Sequence, residues 1–295
     1  MKILLATDGS ECSEGATKFL SGLDFSADDE INVLHVISWT PVLSEWESLY
    51  EDFAEIKDKV VPRILDLSTG ILEATGAKVS GTFAEGLAEQ VIIDSSVDSD
   101  VDLIVMGARG VRGLGSYIVG SVTKAVAVKS QKPVLAVKPP QWERSGKLKI
   151  LFATDGSEHS IAMAKTLSLI PFPDDTEVTL LHVIYSTLSD IPERFAMEIN
   201  DRIKNITAAG RKKEFEEAEN IIKKTHDALS RKFVSVERIV KQGDPSEEIL
   251  DIAGELNADI IAVGGGKMTG IKGILGNVSR YILNHSNCAV LVGKD

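Results

Sequence analysis

The chain has 295 residues, 43 % hydrophobic and 26 % charged, which is the composition of a water-soluble globular protein and a length suited to two domains of about 150 residues. A formal net charge of −12 excludes a partner held across a broad basic surface, so neither nucleic acid nor an anionic membrane is expected, while a small anion in one local pocket stays open. Cys12 and Cys288, the only cysteines, are far apart and in no metal or redox spacing, which predicts buried thiols in a reducing compartment.

The N-terminal run MKILLAT reads as a strand. It is too short for a signal-peptide core or a bilayer span, and a cytoplasmic protein is expected. SECSEGATKFLSGL follows with Ala16, Phe19, Leu20 and Leu23 at helical spacing, and INVLHVI is a second buried strand. Segment 45–74 places Trp46, Leu49, Phe53, Ile56, Val60, Ile64 and Ile71 near helical spacing, with a kink expected at Pro62. AKVSGTFAEG, LAEQVIIDSSV, VDLIVM, SVTKAVAVKS and PVLAVK continue the alternation of strand and helix. Pro139 and Pro140 then end the last strand, and a polar stretch leads onward.

From there the chain repeats itself. KILLATDGSE at 2–11 returns as KILFATDGSE at 149–158, and VLHVI at 33–37 returns as LLHVI at 180–184, both displaced by 147 residues. Gly86 and Gly107 return as Gly243 and Gly264, displaced by 157, and PVLAVK returns as AVLVGK, displaced by 156. The second copy has thus gained ten residues before Gly243 and lost one after Gly264. The predicted domains are 1–140 and 148–295. Near-continuous apolar strands alternating with helices predict an α/β fold, two tandem open, doubly wound, five-stranded parallel-sheet domains. The short apolar end strands PVLAVK and AVLVGK would be exposed edges in isolated domains.

In such sheets a ligand sits beyond the carboxyl ends of the strands, where the strand order reverses. Asp8 closes the first strand there, HVI the second, and Gly107 the fourth. GARGVRGLGSYIVGSV then crowds five glycines before a helix for which Ser121 is the expected N-cap, with Arg109 and Arg112 adding positive charge. Free backbone N–H groups at a helix start favour phosphate, and glycines allow close approach. A P-loop is excluded because no Lys has the required G-x-x-x-x-G-K-[ST] context, and GLGSYI lacks the third glycine of the dinucleotide fingerprint.

Gly107-x-x-Gly110, nine residues, then Gly120-Ser121 resembles the G-x2-G-x9-G-[ST] pattern of the ATP-binding branch of the universal stress protein family. LLATDGSE, VLHVI, VDLIVMGARG and GSVTKAVAVKSQKPVLAVK are also similar to that family, and the resemblance covers essentially all of both copies. It implies ATP or AMP as ligand, with Mg2+ where ATP is the form bound. Ala6, Thr7 and Asp8 would lie against adenine and ribose, and Val36 would meet adenine through its backbone. Met106, Gly107, Arg109 and Gly110 would cover ribose and phosphates, and Gly120, Ser121, Val122 and Thr123 would hold the phosphates at the helix start. All twelve positions are filled compatibly in the first copy. The second copy keeps Asp155, Val183 and Gly264, but Lys267 stands at the Gly110 position and Gly276-Asn277 replaces Gly-Ser one residue closer. A weaker second site is expected there.

His35 and His182 recur inside strands with no nucleophile or carboxylate placed beside them, so packing is expected rather than catalysis. Asp8 and Asp155 have a structural alternative as caps of the first helices. The implied function is a nucleotide-binding sensor or regulatory protein of the stress response, acting on an unidentified protein partner. The alternative is a slow ATPase or another adenylate-handling enzyme on the same scaffold. The resemblance also implies that the two copies pair with each other through PVLAVK and AVLVGK about a pseudo-twofold axis, while further homodimerisation stays open.

Overall fold

The computed structural model describes residues 1–38, 49–109, 119–138, 146–185, 201–265 and 275–294. The first copy contributes β1 (Lys2–Thr7), α1 (Glu11–Ser21), β2 (Glu30–Ile37), α2 (Leu49–Leu72), β3 (Lys78–Glu85), α3 (Ala88–Asp98), β4 (Leu103–Gly107), α4 (Ser121–Lys129) and β5 (Val134–Val137). The second contributes β6 (Lys149–Ala153), α5 (Glu158–Leu169), β7 (Glu177–Ile184), α6 (Asp201–Leu229), β8 (Ser235–Gln242), α7 (Pro245–Leu256), β9 (Ile260–Val263), α8 (Asn277–His285) and β10 (Ala289–Val292). The part of the predicted 45–74 helix ahead of Leu49 lies outside the described residues, and α2 continues through Pro62.

The strands form one sheet in the order β3-β2-β1-β4-β5-β10-β9-β6-β7-β8. Within each copy the neighbours are parallel, and the order reverses direction between β1 and β4, and between β6 and β9. At the centre β5 and β10 pair antiparallel, with Leu135 opposite Leu291 and flanked by Val134–Val292 and Ala136–Val290. Leu135 and Leu291 are counterparts in the repeat, so the pairing is isologous, as a pseudo-twofold axis requires.

Strand residues alternate between two cores, which explains why each strand reads as continuously apolar. Ile3, Leu5, Leu135 and Leu291 face α1, α2, α5 and α6, while Leu4, Ala6, Val134 and Val290 face α3, α4, α7 and α8. Both cores run through the junction. The two repeats therefore share their hydrophobic interior instead of each closing around its own, and a backbone bond from Asp24 N–H to Pro171 O (2.8 Å) ties them again.

Lys138 is a charged residue in a mainly apolar interior, being 2 % exposed. It directly follows β5 and donates to Leu283 O (2.8 Å), Ser286 O (2.8 Å) and Ser286 Oγ (3.1 Å) at the end of α8. Burial lowers its pKa from 10.5 to about 8, with the Cys288 thiol opposing the shift and the Arg109 charge adding to it. The unfolded chain then binds more protons than the folded one across that window, so this group makes stability rise with pH there. Measured against Lys138→Met by urea denaturation, wild type should gain about 1 kcal/mol between about pH 7 and about pH 9. A constant difference would contradict the burial of a charged amine.

The cysteine expectation holds for one thiol. Cys288 is buried and its pKa is pushed up to about 12 by that burial. Cys12 is only partly buried, because its place in the first turn of α1 puts it at the rim of the strand ends. No helix among the described residues is long and apolar enough to cross a membrane.

Candidate functional site

At the end of β1 the chain must turn sharply into α1. Thr7 is buried, and its hydroxyl donates to Ser13 Oγ (3.1 Å) and accepts from Gly9 N–H (3.3 Å). Gly9 has φ +75°, a conformation open to glycine at little cost. Asp8 Oδ1 accepts from the Ser10 amide (3.1 Å) and from Ser10 Oγ (2.6 Å). Ser10, not Asp8, is the N-cap of α1, accepting from Ser13 N–H (3.3 Å). The structural alternative for Asp8 is corrected accordingly: its carboxylate folds the turn that presents the cap. Ser10 was missed because two adjacent oxygen-bearing residues compete for one cap, and the sequence does not order them.

β4 ends beside this turn. A Cβ built on Gly107 would lie 2.6 Å from the carbonyl carbon and oxygen of Cys12 and 2.8 Å from Ser13 N. Glycine is needed here because the backbone of α1 passes directly over it, a reason separate from any ligand. Gly107 O accepts from Thr123 Oγ1 (2.9 Å), Gly120 N–H donates to Ala108 O (2.7 Å), and Ala108 N–H donates to Val137 O (2.8 Å). The start of α4 is thus fixed to the ends of β4 and β5.

Ser121 is not the N-cap of α4. Gly120 fills that position with ψ 157°, its carbonyl accepting from Lys124 N–H (2.9 Å), so Ser121 is already the first helical residue and is exposed. The amides of Ser121, Val122 and Thr123 have no intrahelical acceptor by their position in the first turn, and the helix dipole places partial positive charge there. Val36 is half-buried on β2, Met106 is buried on β4, and Arg109 follows Ala108 at the same strand ends. Arg109 is near enough that its charge acts on Cys12, whose thiol pKa is nonetheless raised by burial. Ala6, Thr7, Asp8, Val36, Met106, Gly107, Arg109, Gly120, Ser121, Val122 and Thr123 therefore lie at β-strand carboxyl ends or at the helix start facing them. Gly110 lies outside the described residues.

The second copy repeats this joinery. Thr154 Oγ1 donates to Ser160 Oγ (3.1 Å), Ser157 caps α5, and Asp155 Oδ1 accepts from Ser157 N–H (3.0 Å). Desolvation works against the Asp155 carboxylate, but hydrogen bonds from Ser157 and Ser160 outweigh it and lower the pKa. Its contribution to stability is present above the ordinary carboxylate pKa and is lost as pH falls through the lowered value. Asp155→Asn should therefore flatten the acid limb of a pH–stability curve; an unchanged limb would contradict this assignment. Val183 is half-buried on β7, matching Val36.

Gly276 is the N-cap of α8 and Asn277 its first residue; Ser279 Oγ donates to Gly264 O (2.6 Å) as Thr123 does to Gly107. Despite the one-residue loss after Gly264 the seat is retained, with Gly276 N–H on Gly265 O at 3.3 Å against 2.7 Å for Gly120 N–H on Ala108 O in the first copy. Lys267 lies outside the described residues. The two strand histidines are structural joints: His35 Nδ1 lies 2.9 Å from Thr7 O and His182 Nδ1 lies 2.8 Å from Thr154 O, bonds that require the proton on Nδ1.

These features define a class: two fused α/β units of strand order 3-2-1-4-5, each ending in a helix start poised over the strand ends. The model of the universal stress protein family matches residues 1–138 and 148–294, and the chain belongs to that family. Universal stress protein MJ0577 of Methanocaldococcus jannaschii is 32% identical over 152 residues, covering 46% of this chain and 94% of that protein. Universal stress protein E of Escherichia coli (strain K12) is 27% identical over 218 residues, covering 70% of this chain and 64% of that protein. Among solved structures, a universal stress protein from Archaeoglobus fulgidus DSM 4304 has a TM-score of 0.58 at 22% identity, covering 99% of this chain and 96% of its own.

Proposed function

We propose that the first copy binds an adenine nucleotide, ATP or AMP, and that the protein acts as a sensor or regulatory binding protein whose loaded state is read by a protein partner. One observation carries this reading. The first-turn amides at Ser121–Thr123 stand without helical acceptors, at the end of a helix fixed to β4 and β5, and Arg109 follows Ala108, whose carbonyl seats Gly120. Preformed backbone donors and one local cation suit phosphate in a chain that is acidic overall. Ala6, Asp8 and Val36 border the same strand ends and form the nucleoside side. Mg2+ would enter only with ATP.

The direct test is to denature freshly purified protein and identify any released nucleotide by chromatography and mass. An AMP or ATP peak supports the sensor reading, and rapid conversion of added ATP supports the slow-ATPase alternative. Gly120→Val puts a branched side chain at the cap and should weaken nucleotide binding at least tenfold, about 1.4 kcal/mol, in calorimetry. Unchanged affinity would remove the cradle from consideration.

The second copy is the weaker site in this reading. Its helix start is kept, but the hydrogen bond that seats it is longer and Asn277 replaces Ser121. Titration with ATP and with AMP should give a tight stoichiometry nearer one than two per chain. Two equal, independent sites would overturn the asymmetry.

A further inference from the structure

Each helix that carries a candidate cradle is held at its far end by a lysine from the other repeat. Lys138, just after β5, donates to Leu283 O and Ser286 O (both 2.8 Å) at the end of α8. Lys294, its counterpart after β10, donates to Ala127 O (2.8 Å) and Val128 O (3.3 Å) in the last turn of α4. At their near ends the same helices are tied to their own strands through Thr123 to Gly107 and Ser279 to Gly264. Both helices have nine residues, about 13 Å of rise, and a rod that short moves as one body.

We infer that Lys138 and Lys294 are positioning residues, each setting the placement of the cradle in the opposite repeat, so that the two candidate sites are mechanically linked across the β5–β10 junction. An N–H cradle works only within hydrogen-bonding geometry, which decays steeply with displacement. A cation also complements the negative end of the helix dipole. The link is unequal: Lys138 is buried and also bonds Ser286 Oγ (3.1 Å), which itself donates to Cys288 O (3.0 Å), whereas Lys294 is half-exposed. The second repeat's cradle is thus the more firmly governed by the first. The link from lysine to helix stands on geometry alone, and its consequence for ligand rests on the nucleotide reading above.

The test compares Lys138→Met and Lys294→Met in the full chain by hydrogen exchange without ligand, followed by ATP titration. In Lys138→Met, exchange at the hydrogen-bonded Gly276 and Arg280 amides should rise about tenfold while the Gly120 and Lys124 amides keep their protection, and Lys294→Met should give the converse. The Kd for ATP at the first repeat should rise about fivefold in Lys294→Met and stay within about twofold in Lys138→Met. Loss of protection confined to the last helical turn, or spread equally over both helices, would overturn the inference, because a simple cap or a global loss of stability gives those patterns. The crossed exchange pattern without ATP binding in any variant, wild type included, would preserve the link and remove the nucleotide reading. If Lys138→Met fails to fold, Ser286→Ala removes one acceptor, leaves the lysine in place, and should show the same shift at the Gly276 and Arg280 amides in milder form.

Discussion

Gly107→Ala should lower stability by about 3 kcal/mol, since the added methyl meets backbone atoms that no rotamer change can move aside. The contacts at 2.6 Å come from the carbonyl of Cys12 in the first turn of α1. Gly264→Ala makes the corresponding change in the second repeat, where the nearest atoms, His159 C and Ser160 N, lie at 3.1 Å. A few tenths of an ångström of adjustment suffice there, and a loss of about 1 kcal/mol is expected. Urea denaturation of the two variants checks the ranking; equal losses would mean that α1 and α5 ride over their strands at the same height. Because the clash is with the protein's own backbone, the loss should appear with no nucleotide present.

Leu291→Asp should be the most damaging single change at the junction. Leu291 is 0 % exposed and faces its counterpart Leu135 where β5 and β10 meet. An aspartate there would be buried with no cation among its partners in the shared core, at a cost of at least about 4 kcal/mol. Val234→Asp provides the contrast, since Val234 is 92 % exposed and should change stability by no more than about 0.5 kcal/mol. Thermal unfolding followed by circular dichroism separates the two. A Leu291→Asp protein melting within a few degrees of wild type would show that the junction contributes little to the fold.

The architecture was legible because its signals are local and doubled. Strand periodicity, helix spacing and a repeat displaced by 147 residues pointed to ten strands in two doubly wound copies, and the family resemblance pointed to the pairing of the two end strands. The strand ends and helix start of the candidate site were equally readable, since the apolar run VDLIVM and the helical pattern SVTKAVAV bracket the glycine-rich stretch. What the sequence concealed were choices among near-equal hydrogen-bond partners. Ser10 rather than Asp8 caps α1, and Gly120 rather than Ser121 caps α4, because backbone dihedrals decide which residue stands half outside the helix. The reason for Gly107 was hidden too, since it depends on how closely α1 crosses β4. Lys138 and its acceptors in Leu283 and Ser286 are about half the chain apart, and no pattern read along one segment reports such a bond. The one available sign was the recurrence of a lysine just past the last strand of each copy, at 138 and 294.

The antiparallel junction also changes what mutation can do. In a dimer of identical chains every substitution appears on both sides of the axis, so neither half alters alone. Here the halves are encoded separately and held together by peptide bonds, so one can drift while the other stays fixed. Drift is plain among the residues of the candidate sites, where Cys12 corresponds to His159, Gly110 to Lys267, and Ser121 to Asn277. At the axis leucine faces leucine and lysine answers lysine, yet even there the halves have diverged, with Val292 standing where the first half has Ala136.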